Sequence, residues 1–289
     1  MTNKHDIDHV TGVATTGHEW DGIKELNKPL PRWWVWVLWL TVIWAIGYWM
    51  AYPAWPLVSS YTRGLLDYSQ RQRVTADVIE ARAAQAEYVE KIKLADLAEI
   101  QKSPELLSFA IAGGRAAFGD NCAGCHGRGA QGAAGFPNLN DDDWLWGGTL
   151  EDIRKTIEVG IRGTHQATRS SQMPRYGLDQ LFDSGQINDV TEYVLSLSGQ
   201  PGDPAAAERG KILFAEQCVA CHGDDSKGKL DQGGPNLTDA IWLYGGSREA
   251  ILASIRTGRG GVMPTWAGRL DPATVKQLAI YVHSLGGGQ

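Results

Sequence analysis

Cysteine and methionine are both scarce in this chain, with four of each in 289 residues. The cysteines are Cys122, Cys125, Cys218 and Cys221, and every one lies in a C-x-x-C-H motif. None is left over for a structural disulfide or a separate catalytic thiol. An excess of basic residues is also lacking. The formal charge is −6, which gives no support to nucleic-acid binding and suits, weakly, a basic protein partner. Long apolar runs are absent except for one. From Trp33 to Tyr52 there is no charged residue. At 1.5 Å per residue that stretch makes about 30 Å of helix, enough to cross a bilayer.

Trp33 and Trp34 lie at one end of this run and Trp49, Tyr52 and Trp55 at the other, as an aromatic belt requires. Pro53 and Pro56 stop the helix. Trp36, Trp39 and Trp44 fall inside the span; they either pack on another membrane subunit or face lipid. The run starts late, is long for a signal-peptide core and has no A-x-A site close behind it, so we expect an uncleaved anchor. Flanking charges do not orient it: Lys24, Lys28 and Arg32 precede it, while Arg63, Arg71 and Arg73 follow.

The regions around the span divide by composition. Residues 1–32 are polar, with His5, His9 and His18 among acids, and read as a solvated, partly disordered tail rather than a metal site. Residues 62 to about 101 are charged and alanine-rich, with loose helical spacing of apolar residues, and 53–102 reads as a helical spacer. Ser103-Pro104-Glu105 is a helix start: an N-cap serine, proline at the first position and an acid behind it.

The remainder is an internal repeat. The two C-x-x-C-H motifs recur at an offset of 96. Pro137-Asn138-Leu139 matches Pro235-Asn236-Leu237, and the WLWGGTLEDI stretch from Trp144 matches WLYGGSREAI from Trp242, both at an offset of 98. Thr149 and Ser247 are paired N-caps, and Ile153 and Ile157 match Ile251 and Ile255. Met173-Pro174 matches Met263-Pro264 at 90, and two final helices align at 88, Tyr193 on Tyr281. We therefore expect an all-α chain: tail 1–32, transmembrane anchor 33–52, spacer 53–102, a first domain 103–199, a linker 200–207 marked by glycine and proline, and a second domain 208–289. The repeats differ before the methionine. Gly160 to Met173 is 13 steps and Gly258 to Met263 is five, so the first repeat carries a longer loop, 161–172.

C-x-x-C-H has a mechanical reading, c-type haem attachment. Each thiol adds to a porphyrin vinyl group, and the adjacent histidine reaches the iron. A zinc site wants four ligands and each repeat offers three; a thioredoxin-like dithiol wants a βαβ pattern and none is visible. The axial histidines are His126 and His222. Outside Met1 and the membrane Met50, the only methionines are Met173 and Met263, one at the same place in each repeat. They are the candidate sixth ligands, a choice that raises the potential above bis-histidine ligation. His165 rivals Met173 at the first haem, and His283 rivals Met263 at the second. The default pairing is within each repeat, His126 with Met173 and His222 with Met263. Two packed copies could instead exchange methionines, pairing His126 with Met263 and His222 with Met173. The Pro137 and Pro235 carbonyls are candidates to accept the second N–H of each axial histidine. Trp144, Trp146, Trp242 and Trp266 are candidate haem walls. Asp141, Asp142 and Asp143 form an acidic cluster.

The stretch from Thr16 to Pro56, TGHEWDGIKELNKPLPRWWVWVLWLTVIWAIGYWMAYPAWP, resembles the anchor of the dihaem subunit (CcoP, also called FixP) of cbb3-type cytochrome c oxidases. AGGRAAFGDNCAGCHG and GFPNLNDDDWLWGGT resemble its first haem domain, and the likeness runs from about residue 11 to 286. The resemblance implies two tandem class I-like cytochrome c domains with two covalently bound haem c groups. It implies an electron relay with no reaction of its own beyond electron transfer. Electrons would come from a soluble cytochrome c or the cytochrome bc complex and pass, through a monohaem subunit, to a catalytic subunit that reduces dioxygen and pumps protons. It also orients the anchor in a bacterial inner membrane, N-terminus cytoplasmic and haem domains periplasmic. The residues agree on one limit. A haem–copper centre needs several histidines among membrane helices, and this single span has none. A dihaem peroxidase needs an iron that opens to peroxide, whereas both repeats offer methionine.

Overall fold

A computed structural model describes residues 6–200 and 202–288. They form two compact units, residues 6–83 and 84–288.

The first unit opens with a hairpin of β1 (Thr15–Trp20) and β2 (Ile23–Leu26), antiparallel, with Trp20 opposite Ile23. The expectation of a solvated, partly disordered tail did not include this hairpin. Asp21-Gly22 turns the chain with φ of +49° and +85°, and Asp-Gly between two strands is the strongest short-range hairpin signal. His5 lies outside the described residues; His18 Nδ1 stands 3.5 Å from Glu25 on the facing strand. Helix α1 (Arg32–Ala51) follows, with no buried residue along its length, as a helix built to face lipid or a partner would be. Trp36, Trp39 and Trp44 are all exposed.

The spacer is helical only in its later part. Pro53 and Pro56 end the helix, and residues 53–69 turn back on its C-terminus. There Leu65 and Leu66 donate backbone N–H groups to the Met50 and Ala51 carbonyls. Two of the four carbonyls that any helix end leaves open are thereby satisfied. Helix α2 (Gln70–Leu94) then runs across the unit boundary. It is solvated over most of its length and carries i,i+4 pairs such as Arg73–Asp77 and Glu87–Lys91, each worth a few tenths of a kcal/mol at best.

The second unit is α-helical. Helix α3 (Leu97–Lys102) starts with an Asp96/Glu99 capping box. Helix α4 (Pro104–Asn121) starts on Ser103, whose side chain accepts from the Leu106 N–H. Then come α5 (Ala123–His126), α6 (Leu150–Val159), α7 (Ser184–Leu197), α8 (Pro204–Gln217), α9 (Val219–His222), α10 (Arg248–Thr257) and α11 (Pro272–His283). Thr149 and Ser247 cap α6 and α10 through their side-chain oxygens. Because α8 already begins at Pro204, capped by Asp203, the joint between α7 and α8 is shorter than the 200–207 expected.

The helices do not pack in sequence order. One core joins Phe118, Ile153 and Ile157 of the first repeat to Val275, Leu278, Ala279 and Val282 of α11. The other joins Phe214, Ile251 and Ile255 of the second repeat to Ile187, Val190, Val194 and Leu195 of α7. Each repeat has given its last helix to the other, so a boundary near residue 200 cuts both cores. The repeat itself makes this possible, since α7 and α11 present the same apolar stripe. Gly114 on α4 meets α11 so closely that a Cβ would overlap the Gln277 carbonyl; Gly210 on α8 meets α7 in the same way at Asp189. A short joint leaves α7 ending where α8 starts, and the two pack directly against each other. A third core, of Ile92, Leu97, Ile100, Ala110, Ala273 and Ile280, fastens α3 and the end of α2 to α4 and α11.

Candidate haem sites

Each C-x-x-C-H motif forms the same local structure. Cys122 ends α4 and starts α5; Cys218 ends α8 and starts α9. The His126 and His222 N–H groups donate to the Cys122 and Cys218 carbonyls, both at 3.0 Å, closing one helical turn. That turn holds the two thiols and the imidazole at fixed spacing. Gly127 and Gly223 follow, both at φ +80°. Burial pushes the Cys122 and Cys218 thiols up to about 11.

His126 Nδ1 lies 3.1 Å from the Pro137 carbonyl oxygen, and His222 Nδ1 lies 3.0 Å from that of Pro235. An Nδ1–H donated there leaves Nε2 as the free lone pair. Burial lowers the pKa of both imidazoles, favouring the neutral form a metal ligand needs.

The methionines are exchanged along with the final helices. Met263 packs in the core of Phe118, Cys122 and Ala123; Met173 packs in that of Phe214, Cys218 and Val219. This differs from the default pairing within each repeat. Backbone bonds at the crossing fix it: Met263 N–H to the Ile161 carbonyl at 3.0 Å, and Met173 N–H to the Arg259 carbonyl at 3.1 Å. Gly160 and Gly258 end α6 and α10 in the left-handed region, both at φ +69°. A Cβ on Gly160 would stand 2.5 Å from the Met263 carbonyl oxygen, and one on Gly258 2.6 Å from that of Met173. Only glycine meets both demands there.

Around the second motif is a cavity of about 700 Å³, lined by Cys218, Cys221, His222, Met173, Pro235 and Trp242 among others. Its size, apolar walls, paired thiols and facing imidazole and thioether fit a covalently held haem. Trp144 and Trp266 pack on the first core as Trp242 does on the second. His165 Nδ1 accepts the Ala167 N–H within its own loop, and His283 lies at the end of α11 beside Gly288; neither lines this cavity. Asp143, by contrast, does line it, and burial together with Asp239 and Asp141 raises its carboxyl to about 6.

Several residues here belong to no motif that marks them in the sequence. Tyr176 is buried, stacks on Phe182, and donates its hydroxyl to the Gln217 carbonyl at 2.9 Å, steadying the residue before Cys218. Burial pushes that phenol up to about 12. Arg162, Arg169 and Arg259 gather at the crossing. Arg162 donates to the Ser171 and Gly261 carbonyls, while Arg169 and Arg259 lie over the Trp146 and Tyr244 rings. The available signal was an arginine four residues before each methionine.

Two such turns, each with a half-buried imidazole beside a proline carbonyl, define a protein of the cytochrome c class, which carries haem c covalently. Comparisons with known proteins narrow this. Residues 111–198 match the family described as cytochrome c, residues 205–282 that of cytochrome c oxidase, cbb3-type, subunit III, and residues 12–59 the N-terminal domain of cytochrome oxidase-cbb3, FixP. The chain is 53 % identical, over the full length of both, to the cbb3-type cytochrome c oxidase subunit FixP of Bradyrhizobium sp. (strain ORS 278) and to that of Bradyrhizobium diazoefficiens. It is 50 % identical, over 98 % of each chain, to the subunit CcoP of Azospirillum sp. (strain B510). The chain belongs to the FixP/CcoP family of cbb3-type cytochrome c oxidase subunits.

Proposed function

We propose that this chain is the membrane-anchored electron-relay subunit of a cbb3-type cytochrome c oxidase and that it holds two haem c groups. Cys122 and Cys125 would anchor the first, with His126 and Met263 to hold its iron. Cys218 and Cys221 would anchor the second, with His222 and Met173. The observation that carries this reading is the cavity in which Met173 of the first repeat meets Cys218, Cys221, His222 and Pro235 of the second. When bound, haem c supplies a one-electron iron couple. The chain's residues do the rest: the proline carbonyls orient the imidazoles, the exchanged methionines close the sites, and the two cores keep water from the ring faces.

The α1 helix crosses the inner membrane, with residues 1–32 cytoplasmic and both haem sites periplasmic. Electrons arrive from a periplasmic cytochrome c or a cytochrome bc complex and leave through the monohaem subunit to the catalytic subunit, where dioxygen is reduced. The exposed Trp36, Trp39 and Trp44 on α1 are its contacts to a membrane partner. Purification from native membranes in mild detergent tests the assignment. The chain should migrate with a haem–copper subunit, and oxygen uptake driven by reduced cytochrome c should be lost without it. A chain that carries two haems yet migrates apart from any oxygen-reducing subunit would make it a free-standing carrier instead.

A further inference from the structure

Arg169 breaks a rule that buried groups normally obey. Its side chain is 12 % exposed, and its Nε and Nη2 are buried with no hydrogen-bond partner. The nearest carboxylate oxygen, on Asp152, is 3.9 Å from Nη2, beyond hydrogen-bond reach, and that carboxylate already accepts the Thr149 hydroxyl. A buried guanidinium without an acceptor costs several kcal/mol, so native proteins supply one.

The repeat shows where such an acceptor belongs. The Arg169 guanidinium carbon lies 5.1 Å from the centre of the Trp146 ring. In the second repeat the equivalent ring is Tyr244, and the Arg259 guanidinium carbon lies 4.4 Å from its centre. Tyr244 and Arg259 both line the cavity that holds Cys221, His222 and Met173. In the first repeat Trp146 and Arg169 stand at the positions of Tyr244 and Arg259, and Ile161 bridges both Arg169 and Met263, the methionine that packs with Cys122.

The loop 161–172 acquires a purpose from this. In the second repeat, Arg259 both follows the helix-ending Gly258 and precedes Met263 by four residues. In the first, the residue after Gly160 is Ile161, which has no charge to offer. The inserted loop turns back, and Arg169 pairs beside Ile161 as a parallel bridge, its N–H reaching the Gly160 carbonyl at 3.2 Å. The insertion thus returns a guanidinium to the place that Ile161 vacates. It sits four residues before Met173.

A haem carries two anionic groups, its propionates, and a guanidinium is the side chain best shaped to grip a carboxylate. We propose that Arg169 and Arg259 are equivalent propionate anchors, Arg169 for the haem on Cys122 and Cys125 and Arg259 for the haem on Cys218 and Cys221. Arg162, tied to carbonyls on both sides of the crossing, holds the loop in place. This inference rests on the two-haem reading, which haem counting tests separately.

The test uses the full membrane-anchored chain matured with haem. Mass spectrometry first counts covalent haems in Arg169→Gln, Arg259→Gln, Arg169→Lys and, as a control, Arg154→Gln, whose side chain pairs with Glu151 and Glu158 on α6. A wild-type chain with fewer than two haems would defeat the two-haem reading itself. With two haems present, potentiometric titration and resonance Raman spectra of the propionate bending modes read the anchor. Loss of a cation at the haem edge favours the ferric state. Arg169→Gln should shift the reduced-to-oxidised ratio of one haem at least threefold towards oxidised and move its propionate bands; Arg259→Gln should do so for the other. Arg169→Lys, which keeps the charge but not the fork, should restore the potential and leave the Raman bands displaced. Unchanged potentials and bands in a two-haem Arg169→Gln chain would overturn the proposal. So would an equal shift in the Arg154→Gln control.

Discussion

The exchange of methionines is open to a direct test, because the two pairings predict opposite results for one haem. Consider a chain in which Cys122 and Cys125 are replaced by serine, leaving the haem on Cys218 and Cys221 alone. In the structure, Met173 packs against Phe214 and Cys218, and its N–H is pinned to the Arg259 carbonyl at 3.1 Å. Met263 packs instead in the Phe118 core, its N–H on the Ile161 carbonyl at 3.0 Å. Replacing the thioether by an imidazole removes the ligand that favours the ferrous state. A preference change on the order of 100-fold corresponds to about 120 mV at 59 mV per tenfold for a one-electron couple. Potentiometric titration of the single remaining haem should therefore show a drop of that order for Met173→His. Met263→His should leave it within about 20 mV, a twofold change on the same scale. A large drop with Met263→His and none with Met173→His would refute the crossed arrangement and restore pairing within each repeat.

Two further outcomes follow from packing and charge. Gly114→Ala places a methyl against the Gln277 carbonyl where α4 crosses α11, and should cost about 1–3 kcal/mol of stability by overpacking, read as a fall in the denaturant midpoint at unchanged slope. An unaltered midpoint would mean that the helices do not cross there. Asp143 has its folded-state value raised to about 6 by burial, Asp239 and Asp141, so its neutral form is favoured in the fold. The stability it contributes is present at low pH and is lost as pH rises from about 4 through 6. Asp143→Asn should thus stabilise the protein by about 1–2 kcal/mol at pH 7.5 and by almost nothing at pH 4, after allowance for its partial exposure. A gain of equal size at both pH values would point to something other than ionisation.

Much of the site is legible in the chain because its chemistry is local. The C-x-x-C-H turn needs only one helical turn to hold its ligands, and Thr149, Ser247 and Ser103 cap their helices through residues three positions away. The hairpin at Asp21-Gly22 is equally local, carried by one Asp-Gly turn within a polar stretch. Residues 53–69 stayed out of the helix because two prolines and the open carbonyls at the end of α1 gave the backbone a better arrangement.

The sequence by itself determined the two C-x-x-C-H motifs, the repeat, the single apolar span and the two candidate methionines. What it could not determine is which copy each methionine and each final helix packs against. The stripe on α7 and that on α11 are equivalent, as are Gly114 and Gly210, so both arrangements satisfy every local rule. The tertiary structure decided the packing through non-local terms: the apolar stripes of α7 and α11 against the other repeat's core, and the backbone bonds of Met263 to Ile161 and Met173 to Arg259. The same crossing gave the inserted loop its meaning, since only in three dimensions does Arg169 come to lie beside Ile161 and over Trp146.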